Sequence, residues 1–109
     1  MRGPEGKLQD KILKDLRSYG KFIVCTKVMK ASDNGFPDIF FSTALTGAVL
    51  IETKREDGEA AKIQELRIKQ LNERGSRAFV CNNWEEWVAI KQSLDLPSPS
   101  DMALFTSNI

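Results

Sequence analysis

Two short stretches and the hairpin between them decide the reading: Gly35-Phe36-Pro37-Asp38-Ile39-Phe40-Phe41-Ser42 and Ala48-Val49-Leu50-Ile51-Glu52-Thr53-Lys54. Each is an apolar run rich in β-branched and aromatic residues, and Thr46-Gly47 between them marks a turn. Two strands so close in sequence predict an antiparallel hairpin. Side chains alternate along a strand, so Leu50, Glu52 and Lys54 share one face while Val49, Ile51 and Thr53 take the other. An acid and an amine at the end of an apolar strand are not needed for core packing. If the strands pair, Asp38 comes beside Glu52, and two neighbouring carboxylates repel one another. A divalent cation between them removes that repulsion.

Working outward, residues 5–19 read as a first helix, with Leu8, Ile12, Leu16 and Tyr19 on one face, Pro4 at its start and Gly20 at its end. Glu5 projects onto the same apolar face, where a carboxylate either points into a cleft or escapes at a frayed first turn. Residues 21–28 read as a strand, and 30–37 as a polar, turn-prone stretch. Glu59 to Arg74 reads as a second helix stopped by Gly75, with Ala60, Ile63, Ile68 and Leu71 in its apolar stripe. Gln64 projects into that stripe and Arg67 lies at its edge, and a polar residue facing inward needs a partner. Arg77 to Asn82 is a fourth strand. Asn83 can N-cap a third helix over Trp84–Leu94, packing Trp84, Trp87, Val88 and Ile90. From Asp95 the chain, with Pro97-Ser98-Pro99-Ser100, reads as a loose tail whose apolar end, Met102 to Phe105, could dock on a second subunit. The division is a domain over 1–94 and a tail over 95–109.

The order α-β-β-β-α-β-α predicts an α/β domain with a mixed four-stranded sheet flanked by helices. The last strand follows a helix and can run parallel to a neighbour through a right-handed crossover.

Composition narrows the chemistry. The 109 residues suit one compact domain. The chain has no His, which removes the commonest general base and the Ser-His and Cys-His nucleophile pairs. Catalysis must then use carboxylates, Lys or a bound metal. Cys25 and Cys81 stand singly in apolar runs, which argues against zinc and for two buried free thiols. The net charge is +1, so any nucleic-acid contact must be local. There is no membrane span, no signal-peptide core at the N-terminus and no Gly-rich phosphate loop, so a cytosolic protein without a nucleotide cofactor is expected.

A lone E-x-K at a strand end is most often a solvent-exposed ion pair, and a lone Pro-Asp is most often a turn. Joined by an apolar hairpin with thirteen residues between the acids, and with Glu5 and Gln64 pointing at the same interior, they are more specific. Carboxylate oxygens plus water suit Mg²⁺. Lys54 would lie beside such an ion, placed to orient or help deprotonate a water or to steady charge on a phosphate.

The pattern Gly35-Phe36-Pro37-Asp38, Glu52-Thr53-Lys54 and then Gln64 early in the next helix resembles the PD-(D/E)XK nuclease superfamily, with its restriction-endonuclease-like core. Within it the chain looks most like the small, stand-alone VRR-NUC type of phages and bacteria, over about residues 5–94. The resemblance implies that Asp38 and Glu52 bind the metal, Mg²⁺ or Mn²⁺. It implies that the Thr53 carbonyl adds a ligand, that Lys54 and Gln64 are catalytic, and that Glu5 is the first-helix acid, reaching the metal through water. Thr53 stands where Val or another apolar residue is common. Lys30, Arg55, Lys62 and Arg67 are the candidate DNA contacts, whereas Lys69 and Arg74 read as a solvated helix face among Glu59, Glu65 and Glu73. The implied activity is a structure-selective DNA endonuclease similar to junction-resolving enzymes, working as a homodimer on branched DNA in a bacterial or phage-infected cytosol. Two rivals stay open. One is a nucleic-acid-binding or adaptor module that kept the fold without the chemistry, and the other is a phosphoryl hydrolase acting on a nucleotide.

Overall fold

The structure is a computed structural model that describes residues 4–29, 36–54 and 62–106, with side chains for 6–29, 36–54 and 62–104. The elements in chain order are α1 (Pro4–Arg17), a 3-10 turn (Gly20–Phe22), β1 (Val24–Lys27), β2 (Ile39–Thr43), β3 (Gly47–Thr53), α2 (Lys62–Glu73), β4 (Arg77–Cys81), α3 (Trp84–Ser93) and α4 (Pro99–Thr106). The sheet order is β1-β2-β3-β4. The first three strands form an antiparallel meander, and β4 runs parallel to β3 with Val49 beside Arg77 and Thr53 beside Cys81. This is the mixed, helix-flanked sheet read from the sequence. No helix is long and apolar enough to cross a membrane among the described residues.

The β2–β3 turn closes on its own side chains. Thr43 Oγ1 accepts from the N–H groups of Leu45 (3.1 Å) and Thr46 (3.0 Å) and bonds Thr46 Oγ1 at 3.0 Å. Gly47 leaves the turn at φ 67°, a left-handed conformation that costs glycine little. This fixes the register that brings Ile39 opposite Ile51.

One core fills a single side of the sheet. Leu8, Ile12, Leu16 and Tyr19 of the α1 stripe are buried there, against Ile39, Phe41, Val49, Ile51 and Cys81, and with Trp87, Ile90, Leu94, Leu96 and Met102. Trp87 meets Phe41 edge to face, with ring centroids 5.9 Å apart and an interplanar angle of 86°. Its indole N–H donates to Asp15 Oδ2 at 2.8 Å, and Lys91 Nζ donates to the same oxygen at 2.8 Å. Leu50 and Ala78, at the alternate strand positions, are buried outside that cluster, on the face that α2 covers. The Asn72 side chain staples α2 to β4, donating to Ala78 O (3.0 Å) and accepting from Ala78 N (2.8 Å).

Several expectations need correction. Lys21 and Phe22 belong to the 3-10 turn, where Gly20 at φ 60° bends the chain, so the first strand is shorter than 21–28. Cys25 is only half-buried, on edge strand β1, whereas Cys81 is buried as expected. Ile63, assigned to an inward stripe, is exposed, and α2 has no buried residue among those described. A helix packed on a sheet edge strand by one face needs little of its stripe.

The largest correction concerns the tail. Asp95 adopts φ 55°, and Leu96 N–H returns to Lys91 O at 3.0 Å, a helix-closing turn that sends Leu96 back onto the core. The Ser98-Pro99 pair, read as loose, starts a helix. Ser98 Oγ accepts from Asp101 N at 3.1 Å, and Pro99 takes the first helical position, where its missing N–H is harmless. Met102 is then buried in the common core, and Tyr19 Oη donates to Pro97 O at 2.6 Å. Asn83 caps α3 as expected, accepting from Glu86 N at 2.8 Å, and Glu86 Oε1 returns to Asn82 N at 2.7 Å.

Candidate active site

The Pro-Asp segment is held before its chemistry begins. Pro37 is fully buried. The backbone of Asp38 is pinned from both sides, its carbonyl accepting from Val28 N (2.6 Å) and its N–H donating to Ile51 O (3.0 Å). Its side chain is pinned as well, because Oδ2 accepts from Thr53 N and from Thr53 Oγ1, each at 3.0 Å. Asp38 is therefore a carboxylate with one oxygen spent on its own scaffold. The residue that does the holding is Thr53, from which the sequence reading asked only a backbone carbonyl. The signal available was the hydroxyl itself, standing where an apolar residue is common.

Glu52 precedes Thr53 at the end of β3 and is 1% exposed. A carboxylate taken out of water to that degree needs compensating hydrogen bonds or charge. Lys54 follows. Its N–H donates to Cys81 O at 2.9 Å, which carries the parallel ladder one residue past β3. Alternation along that ladder puts Lys54 on the side of Glu52, and its side chain is half-buried. Asp38, Glu52, Thr53 and Lys54 thus meet at one end of the β2–β3 pair, as expected.

Topology brings Gln64 to the same end. β4 starts at Arg77 beside Val49, near the start of β3. A helix linking the end of β3 to that point must run antiparallel to both strands, with its first turn over the Glu52–Lys54 end. Gln64 lies in that turn, half-buried. Lys62 is exposed beside it, and Arg67 is half-buried one turn further on. Lys30 and Arg55 lie outside the described residues. Glu5 lies in the first turn of α1, and its side chain is likewise outside them.

The donor set suits a hard cation. Its members are carboxylates with a backbone carbonyl nearby, and they include no nitrogen or sulfur ligand. Among the described residues no group of three acidic, Cys or His side chains converges. Two carboxylates completed by a carbonyl and waters is a ligand set that Mg²⁺ accepts. Cys81 belongs to the frame. Burial pushes its thiol up to about 11, against an opposing backbone hydrogen bond of Asn83, so it stays neutral.

The VRR-NUC domain family model matches residues 3–84. The chain belongs to the VRR-NUC family. A solved structure described as a VRR_NUC domain shares the fold at a TM-score of 0.70, with 18% identity over 81% of this chain and 94% of that one. No curated protein matches. Membership gives the chain a nuclease-type fold, and the segment matched contains Asp38, Glu52, Lys54 and Gln64.

Proposed function

We propose that this VRR-NUC chain is a metal-dependent DNA endonuclease that hydrolyses phosphodiester bonds, selects branched DNA and works as a homodimer. The observation that carries the reading is the convergence of a doubly pinned Asp38 with a buried Glu52 and with Lys54 at one strand end. In this reading Asp38, Glu52 and the Thr53 carbonyl hold Mg²⁺ or Mn²⁺, with Glu5 reaching it through water. The bound ion would supply Lewis-acid stabilisation of phosphate charge and a more acidic water. Thr53 keeps the Asp38 carboxylate in one orientation, so little reorganisation is needed when charge develops. Lys54 orients the attacking water, helps to take its proton, or donates to the phosphate oxygens. Gln64, over the same end, helps to position that water. Lys30, Arg55, Lys62 and Arg67 contact the DNA backbone, giving salt-dependent affinity without base-specific reading.

The test is a gel assay with a four-way junction, a flap, a linear duplex and a single strand, each with Mg²⁺, Mn²⁺ or EDTA. Cuts that need the metal, vanish in Glu52→Gln and favour a branched substrate are expected. Binding without cutting by the unaltered protein would favour the adaptor reading. Two cuts at one junction need two sites, so light scattering is expected to give a dimer at micromolar concentration, and a monomer would refute that part.

A further inference from the structure

Phe36 stands two residues before Asp38, and its side chain remains 37% exposed. With Arg67, Gln70, Leu71 and Arg74 it lines a cleft of about 360 Å³. Arg67, Gln70 and Leu71 lie at i, i+3 and i+4 on one face of α2, and Arg74 follows in the turn just past its end. Gln70 organises the two cations. Arg67 Nη1 donates to its side-chain oxygen at 3.2 Å, and Arg74 Nη1 donates to its backbone oxygen at 3.1 Å. Neither guanidinium pairs with a carboxylate among the described residues. Arg67 Nε is buried and donates to no acceptor among them. A buried donor left in that state is costly, so this guanidinium gains from any rearrangement that brings an acceptor to it.

An exposed aromatic ring facing two pre-oriented guanidiniums matches the chemistry of a nucleotide. The ring offers a stacking surface to a base, and the guanidiniums offer planar donors to its phosphate. The cleft is of the size that takes one small ligand. A paired base inside a duplex presents no free face to the ring. An acidic peptide would use the cations and leave the ring idle.

We propose that this cleft holds one unpaired nucleotide of the substrate strand, its base against Phe36 and its phosphate between Arg67 and Arg74, next to the Asp38 site. The choice of DNA rests on the nuclease reading, and it gives that reading a source for selectivity. An unpaired nucleotide is present at flaps and absent from plain duplex, and a four-way junction, whose arms are fully paired, supplies one only when a pair opens at its branch point.

The experiment is fluorescence anisotropy in EDTA, where no cutting occurs. The probes are a fluorescein-labelled oligothymidylate strand and a blunt hairpin duplex. The unaltered protein is expected to bind the strand more tightly. Phe36→Ala is expected to weaken strand binding about tenfold and duplex binding by less than about twofold, while Phe36→Trp restores the strand. Arg67→Gln is expected to weaken the strand and flatten its log–log salt dependence by about 0.7, one phosphate contact. Unchanged strand affinity in Phe36→Ala, equal losses on both probes, no strand binding by the unaltered protein, or equal competition by polyglutamate would each overturn the proposal. Melting curves of each variant confirm that the fold is kept. A protein that cuts nothing but passes this test loses the nuclease reading and keeps the cleft. One that cuts, with strand affinity indifferent to Phe36, loses the cleft alone.

Discussion

The two faces of the sheet are built differently. On the side of α1, α3 and α4, large side chains are fully buried and the partly buried polar groups are matched. Asp15 accepts from Trp87 and Lys91, and Tyr19 donates to Pro97. On the side of α2, Leu50 and Ala78 are buried beneath a helix that exposes Ile63 (43%) and Leu66 (49%). That side also buries a carboxylate, Glu52, and a guanidinium nitrogen, Arg67 Nε. The first face follows the rules of a stable core. The second departs from them at Glu52 of the candidate site and at Arg67 of the cleft, and a functional site is where local rules are expected to break.

This contrast can be broken by experiment. The largest effect is expected from Lys54→Ala. Cleavage should fall on the order of 10³-fold, while DNA binding and the melting midpoint stay near those of the parent. A large drop in melting temperature instead would mean that Lys54 supports the fold, and the division between faces would fail. The opposite result is expected from Trp87→Ala. Losing that buried indole should cost about 3–5 kcal/mol of stability by urea unfolding, a large share of the roughly 5–15 kcal/mol a domain possesses. Its folded fraction should still cut with the parent's metal dependence.

The smallest effect is a pH dependence that belongs to the first face. Burial raises Cys81 from 9.0 to about 11. Above pH 9 the unfolded chain releases this proton and the folded chain does not, so stability falls between pH 9 and about 11 and is flat below. The full fall from this group is about 2–3 kcal/mol. Tyr19 is raised as well, by burial above all, and acts in the same direction. For Lys91, burial pulls its pKa down, but the hydrogen bond and charge of Asp15 outweigh that and the net shift is upward. Its contribution is therefore also lost as pH rises through its raised value. Thermal melts from pH 7 to 11 should show the decline, and Cys81→Ala should make it shallower. An unchanged slope in that variant would remove Cys81 as a cause.

Much of the first face was legible in the sequence because period carries it. The α1 stripe recurs at helical spacing, and all four of its members are buried. The Asn83 cap is local, needing only the residues that follow it. The α2 stripe misled because its apolar period is real but little surface is available to bury it, so Ile63 faces out. The tail misled for another reason. Pro-Ser repeats suit a loose chain, but one left-handed residue, Asp95, redirects the segment and lets Ser98 and Pro99 start a helix. Whether such a helix forms depends on a core for Met102, a contact distant in the chain.

The sequence by itself determined the fold class, the antiparallel meander of the first three strands and the meeting of Asp38 with Glu52, Thr53 and Lys54, whereas the place of β4 beside β3 came from the structure. Periods of two and 3.6 residues and a short hairpin are local properties, and local properties can be read along a chain. Only the tertiary structure decided that Thr53 clamps Asp38, that Asn72 staples α2 to β4, that Met102 belongs to the core and that Phe36 faces Arg67 and Arg74 across a cleft. The Thr53 clamp spans two strands, the cleft joins a loop to a helix some thirty residues on, and Met102 meets its core from the far end of the chain. Even the Asn72 staple, six residues long, depends on how the turn after α2 aims the next strand. Such distances are set by packing, which no periodicity records.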